Sequence, residues 1–275
     1  QFEKSMYKIF IPKSEKLKKY IYNFCILNEF EGRINYLAFP QLGTSLAFYF
    51  NSCLTFEDDF INITNKNKYS PQILLLGKYK SPIQIQYNSY SPEISINFTP
   101  IGLNYFFDIN TSEIAKNSIQ LIDNEKWSKI GSEIFDQNSN EKKIDFLELF
   151  LLKNLVEKDL SNLETCISHL NQNPTFPIST IANKLNVSTK TINRWFANYV
   201  GCSPTDFKKI VRFRKAIDTK FNDSFKNLTQ ICFESNFYDS PHFTREFRKL
   251  NQMSPRDFFS DIRYVANKNI PYKFL

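Results

Sequence analysis

The sequence predicts an α+β protein in two parts, a β-rich first part over residues 1–159 and an all-α second part over residues 160–275. Three observations carry that division. Short runs with period-two hydrophobicity dominate the first half, helical periodicity takes over after Leu160, and within the second half a block of about 50 residues occurs twice. The charge divides at the same place. Residues 1–159 hold 18 Lys and Arg against 19 Asp and Glu, whereas residues 160–275 hold 17 against 9. The excess positive charge therefore sits in the second part, the expected footprint of phosphate binding, with a merely solvated basic face as the alternative.

In the first part, Ile34 to Phe39, Ser45 to Phe50, Ile73 to Leu76, Ile83 to Tyr87 and Ile94 to Phe98 read as strands. Leu46, Phe48 and Phe50 alternate with Ser45, Ala47 and Tyr49, and Ile94, Ile96 and Phe98 with Ser95 and Asn97. Ser81-Pro82 and Ser91-Pro92 punctuate the runs. The pattern predicts antiparallel strands with one buried face, arranged as a sandwich or small barrel. Any pocket within it is expected to be lined by Phe and Ile with few polar groups, though packed core is the commoner use of such residues.

Helices flank the strands. Ser14 is placed to cap a helix carrying Leu17, Tyr20, Ile21 and Phe24 on one face. Further helices are expected over 102–109, over 124–136, and from Asn140 to about Glu157. The stripe Ile144, Leu147, Leu151 and Leu155 on the last reads as packed core, with a dimer seam as the alternative.

The repeat lies in the second part. Ile181 to Ser188 opens one block, closed by Gly201-Cys202-Ser203-Pro204-Thr205-Asp206-Phe207. Ile231 to Phe237 opens the other, closed by Gln252-Met253-Ser254-Pro255-Arg256-Asp257-Phe258. The offset is 50 at the start and 51 at the end, so the second turn holds one inserted residue. Each block, about 178–201 and 227–252, has the grammar of a helix-turn-helix: a small residue (Ala182, Cys232) where two helices approach, a plug (Val187, Phe237) in the turn, and a cap for the next helix. Ser188 serves as that cap in the first block, and Asp239 or Ser240 in the second, with Pro241 tolerated in the first turn. Ile192, Trp195, Phe196 and Tyr199 point inward, leaving Lys190, Asn193, Arg194 and Ala197 on the open face. In the second block Phe243, Phe247 and Leu250 point inward, leaving His242, Arg245 and Lys249 outward. Arg and Lys donate to guanine and Asn pairs with adenine, so such faces suit the major groove of double-stranded DNA.

Residues 160 to 260 resemble the DNA-binding domain of the AraC/XylS family of bacterial transcription regulators. The resemblance rests on the paired blocks, on Arg212-Phe213-Arg214-Lys215-Ala216-Ile217, and on Phe237…His242-Phe243-Thr244-Arg245-Glu246-Phe247…Met253-Ser254-Pro255. It implies two recognition helices joined by a rigid linker helix and docked in successive major grooves. Lys190, Asn193 and Arg194 would read bases from the first unit, and Ser240, His242 and Arg245 from the second. Ser188, Arg248 and Lys249 would hold phosphates. For Arg194 and Arg245 the alternative is an intradomain salt bridge. Asn236 and Gln252 stand where the family usually has Gly. Asn tolerates left-handed backbone, whereas Gln252 is expected to give a differently shaped turn. The first part, through Pro12…Leu17…Tyr20-Ile21-Tyr22 and Phe98-Thr99-Pro100-Ile101-Gly102, is similar to the sensor or dimerisation domain of such regulators, which implies a cupin-like barrel with appended helices. The resemblance further implies a homodimer, a small-molecule effector of unspecified identity, and activation through RNA polymerase. The alternative is a first domain that only dimerises or meets a protein partner.

Other classes are excluded or disfavoured. No run of about 18 apolar residues exists to span a membrane. The first residues lack the basic-then-apolar order of a signal peptide, although a trimmed leader would leave no trace. Cys25, Cys53, Cys166, Cys202 and Cys232 are scattered without a C-x-x-C pair, which disfavours a disulfide framework or zinc site and fits reduced thiols in a cytoplasm. There is no dinucleotide, P-loop, zinc-protease or nucleophile-elbow motif, so no enzyme and no cofactor are expected. Of the two histidines, His169 is expected near a helix end in a structural role, and Glu57-Asp58-Asp59 reads as a solvated run rather than a metal site.

Overall fold

The computed structural model describes residues 6–66, 71–107, 118–265 and 270–275, with backbone alone for 263–265 and 270. Two six-stranded sheets pack face to face as a sandwich, and helices follow. The first sheet runs β1 (Tyr7–Phe10), β2 (Ile21–Leu27), β9 (Glu93–Phe98), β4 (Thr44–Tyr49), β7 (Gln72–Leu76) and β10 (Ile119–Leu121), antiparallel throughout. The second runs β11 (Arg263–Val265), β12 (Ile270–Phe274), β3 (Ile34–Ala38), β8 (Ile83–Tyr87), β6 (Phe60–Asn65) and β5 (Ser52–Glu57), with β6 and β8 parallel. The five expected strands are present.

The first sheet is buried on both faces, which corrects the expectation of one. Ala47, Tyr49, Leu27 and Leu74 face Tyr36, Ile61, Ile85 and Tyr87 of the second sheet. Phe24, Leu46, Phe48, Leu75, Ile94 and Ile96 face the other way, against helices. Side chains alternate across a strand, so each strand serves two cores at once.

That double burial also corrects the helix expected after Ser14. Helix α1 (Glu15–Lys18) is one turn long and buries only Leu17; Ser14 makes no side-chain cap. The residues from Ile21 onward form β2, because Phe24 and Ile26 enter the helical core while Cys25 and Leu27 enter the sandwich. Likewise the expected helix 102–109 is a 3-10 turn at Gly102–Tyr105, and positions 108 and 109 lie outside the described residues. Helix α2 (Glu125–Phe135) is capped by the Asn124 side chain, and α3 (Asn140–Lys153) by Ser139. Helix α3 ends before Glu157, where the Asn154 amide donates to the Phe150 carbonyl at 2.7 Å. Ile144, Leu147 and Leu151 are fully buried and Leu155 packs against them, so this stripe is core rather than an open dimer seam.

The second part carries α4 (Ser161–Gln172), α5 (Ile178–Lys184), α6 (Thr189–Trp195, continued by a π-helical turn Phe196–Val200), α7 (Pro204–Asn222), α8 (Leu228–Glu234), α9 (Ser240–Asn251) and α10 (Pro255–Asp261). It is not all-α to its end. Past α10 the chain forms β11 and β12, and β12 pairs with β3, placing Tyr272 opposite Ala38 and Phe274 opposite Tyr36. Tyr272 is buried in the sandwich core, which supplies the driving force for that return.

The halves meet through one continuous core, running from Phe24 and Phe98 through Leu147 and Leu163 to Ile192, Phe196 and Phe207. A second contact sets Phe39 against Phe258 at 4.9 Å between ring centres. Polar links join them too: the Asn104 amide donates to the Tyr199 carbonyl at 2.8 Å, and Lys80 pairs with Asp206 at 2.8 Å.

Candidate nucleic-acid interface

The two units repeat in three dimensions as they do in sequence. Ala182 and Cys232 are buried where α5 meets α6 and α8 meets α9. The turn after each first helix passes through a left-handed residue, Asn186 (φ 51°) and Asn236 (φ 62°), and each second helix ends on one, Gly201 (φ 82°) and Gln252 (φ 63°). Gln252 therefore adopts the backbone of the usual glycine, which corrects the expectation of a differently shaped turn. Asn236 accepts a hydrogen bond from Lys215 of α7 at 2.7 Å, which fixes the second turn to the helix between the units.

Caps set where each outward face begins. The Ser188 hydroxyl accepts from the Thr191 amide at 3.0 Å, so α6 starts as expected. In the second unit the cap is Asp239, accepting from the His242 amide at 2.6 Å; Ser240 is the first helical residue, followed by Pro241. After each outward helix a Ser-Pro pair opens the next: Ser203 caps α7 and Ser254 caps α10. The linker α7 touches both units, Phe207 near its start against Phe196 of the first at 5.5 Å and Phe213 at its middle against Phe247 of the second at 4.8 Å. Its 19 residues at about 1.5 Å each give roughly 28 Å, comparable with one turn of B-DNA at about 34 Å.

Lys190, Asn193, Arg194 and Ala197 are all exposed on α6, while Ile192 and Phe196 are buried beneath them. On α9, Ser240, Pro241, Thr244, Arg245, Arg248 and Lys249 line one open groove over the buried Phe243 and Phe247. Neither Arg194 nor Arg245 makes an ion pair among the described residues, so the salt-bridge alternative is not realised. Lys249 does pair, with Glu246 at 3.0 Å. Burial pushes the Glu246 carboxyl up, but the hydrogen bond and charge of Lys249 outweigh it and hold the carboxyl below its ordinary value.

Like Lys249, other expected contact residues already have partners. The Asn193 amide donates to the Thr189 carbonyl of its own helix at 2.8 Å, so reading an adenine requires it to turn outward. The Ser188 hydroxyl is occupied as a cap. The His242 ring is half-buried with its centre 5.7 Å from that of Phe237, which leaves one edge to face a groove. Sequence reasoning missed Tyr238, 88% exposed between the buried Phe237 and the capping Asp239. An aromatic side chain at a turn position with no core to enter was the available signal.

The sandwich holds a separate cavity of about 80 Å³ between the sheets. Its wall is not the Phe and Ile expected: Tyr7, Tyr36, Tyr49, Glu93, Ser95 and Asn97 face it, and among the described residues Ile85 is its one isoleucine and no Phe borders it. The phenylalanines of the first sheet point to the helical core instead. Among the described residues no helix is long and apolar enough to cross a membrane, and no group of three or more His, Cys, Asp and Glu is placed to hold a metal ion.

Residues 181–261 match a family model described as a helix-turn-helix domain. Among solved structures the chain is similar to ToxT from Vibrio cholerae. One crystal form matches at 14% identity and a TM-score of 0.47, covering 86% of this chain and 98% of that one. ToxT from strain O395 matches at 15% and 0.46, covering 88% and 98%. An unsaturated fatty acid bound ToxT from strain SCE256 matches at 14% and 0.47, covering 86% and 94%. Comparison with curated proteins finds no match.

Proposed function

We propose, from the premise that residues 181–261 are an AraC-type helix-turn-helix domain and so imply DNA-binding transcription regulation, that the chain is a sequence-specific regulator acting in the cytoplasm. The observation that carries this reading is the pair of helices α6 and α9, each with an exposed arginine that makes no ion pair among the described residues, both packed on the linker α7. Lys190, Asn193 and Arg194 read bases in one major groove, and Ser240, His242 and Arg245 read them in the next. Arg248 and Lys249 hold phosphates, and the backbone amides at the start of α6, beside Ser188, hold another. The protein activates transcription through RNA polymerase, binds as a homodimer, and takes a small-molecule effector in its β-rich part, where the sandwich cavity offers room.

Selection of bound sequences from a random DNA pool at near-physiological salt tests the reading. Two half-motifs about one helical turn apart are expected. The absence of any enriched sequence would overturn the assignment of base readers.

A further inference from the structure

Between the two sheets, where apolar packing is the rule, the chain buries a carboxyl group. Glu93 of β9 is 5% exposed. It accepts hydrogen bonds from the Tyr7 hydroxyl at 3.1 Å, from Tyr87 and from Ser95. Tyr7 lies 3.2 Å from the Tyr36 hydroxyl, extending the network across to the second sheet. Burial raises the Glu93 carboxyl above its ordinary value, and the three hydroxyl donors oppose that rise. A buried carboxylate is costly unless a positive charge compensates it. Among the described residues no Lys, Arg or His borders the cavity that Glu93 lines.

The chemistry of this end of the cavity is one-sided. A tyrosine that donates its hydroxyl hydrogen to a carboxylate keeps its lone pairs as acceptors, so Glu93 with Tyr7, both on the cavity wall, presents acceptors and negative charge. The rest of the wall sets apolar Ala38, Ala47, Leu76 and Ile85 beside the neutral Ser45, Ser95 and Asn97, and it includes the aromatic residues Tyr49 and Tyr272, a residue type whose π system attracts a cation. The cavity opens past Gln41, Gly43 and Asn97, which also border an outer recess completed by Tyr22 and by Arg214 and Asp218 of α7.

We propose that the sandwich cavity binds a small primary amine with an apolar body, its ammonium held by Glu93 and the tyrosine oxygens and its body against the aliphatic wall. The assignment rests on the effector part of the reading above and names the class of ligand. Three features give the amine a route of influence. It enters beside the linker helix, it sits on the sheet that shares a core with α6, and it touches Pro271 and Tyr272, which continue from the DNA-binding units.

Titration calorimetry and thermal shift on the full chain test the proposal with three matched probes: benzylamine, benzyl alcohol and benzoate. Benzylamine is expected to bind at least tenfold more tightly than benzyl alcohol, and benzoate not at all. Glu93→Gln keeps the hydrogen-bonding shape and is expected to weaken benzylamine at least tenfold. Ala47→Leu fills the cavity without touching the charge and is expected to abolish benzylamine binding, which keeps the test sound should Glu93→Gln fold poorly. Failure of benzylamine to bind at millimolar concentration, equal binding of the alcohol, or binding undiminished by Ala47→Leu would overturn the proposal. DNA selection on the same preparations separates the two levels: an enriched DNA site without amine binding overturns only the ligand, whereas amine binding without an enriched site overturns the regulator.

Discussion

Gly201 and Gln252 hold the same place in the two units and the same left-handed backbone, with φ of 82° and 63°. Only the first has the residue that conformation favours. A side chain in left-handed backbone costs roughly 1–2 kcal/mol, offset in part by the extra freedom glycine has when unfolded.

Gln252→Gly is therefore expected to stabilise the protein by about 0.5–1 kcal/mol, a rise in Tm of a few degrees in calorimetry. Gly201→Gln is expected to do the reverse. A fall in Tm for Gln252→Gly would show that the Gln252 side chain makes a contact worth more than the backbone strain.

Arg194→Ala and Arg245→Ala are each expected to cost about 1–3 kcal/mol on the selected DNA sequence and much less on random DNA, read by fluorescence anisotropy. Both side chains are exposed and unpaired, so neither substitution removes a fold contact. Equal losses on both DNAs would move these residues from base edges to phosphates.

Arg248→Ala is expected to weaken binding to all sequences alike and to flatten the slope of log affinity against log salt by about 0.9, the value for one phosphate. Lys249→Ala should flatten it less, because Lys249 already spends part of its time on Glu246, 3.0 Å away.

How much of this was legible in the sequence depended on where each residue's partner lies. The two units could be read because their caps, plugs and small residues are local: Ser188, Ala182 and Val187 act within a dozen positions of one another. The exposure of Lys190, Asn193, Arg194 and Arg245 follows from the same helical period. Strand β2 was misread because Leu17, Ile21 and Phe24 happen to recur at helical spacing. Burial on both faces then erased the alternation that would have marked a strand. Tyr272 was invisible because its partner, Ala38, lies on the far side of the helical part. The partners of Asn193 were hidden as well, since nothing in the pattern distinguishes an amide turned outward from one bonded to its own helix.

Lys78, which follows β7, is fully buried with its ammonium donating to the Thr44 hydroxyl at 3.3 Å; burial pushes its pKa down to about 8. Its unfolded value is near 10.4, so between about 8 and 10.4 the unfolded chain binds more protons than the folded one. This group's contribution to stability therefore rises with pH across that window and is lost as pH falls through about 8. Lys78→Met is expected to stabilise the protein at pH 7, with the gain shrinking to nothing by pH 10.5, in urea denaturation run at both values. A gain independent of pH would mean that Lys78 is solvated while charged.

Tyr272→Ala is expected to destabilise the sandwich by about 3–5 kcal/mol, as for a large aromatic lost from a core, although the residue lies beyond the DNA-binding units in sequence. Hydrogen exchange should show the loss in β3 and β8 rather than in α8 and α9. Uniform loss across all elements would show that the two parts unfold as one.

The pairing of β12 with β3 also dictates an order of events on the ribosome. Strand β3 emerges early, yet its neighbour on one side is made only after every helix of both units has been synthesised. Until then β3 presents open backbone groups, the kind of edge that invites pairing with another nascent chain. The cavity wall formed by Pro271 and Tyr272 is missing for the same interval. A sandwich with a complete cavity wall thus exists only in a chain whose helices α6 and α9 have already been made.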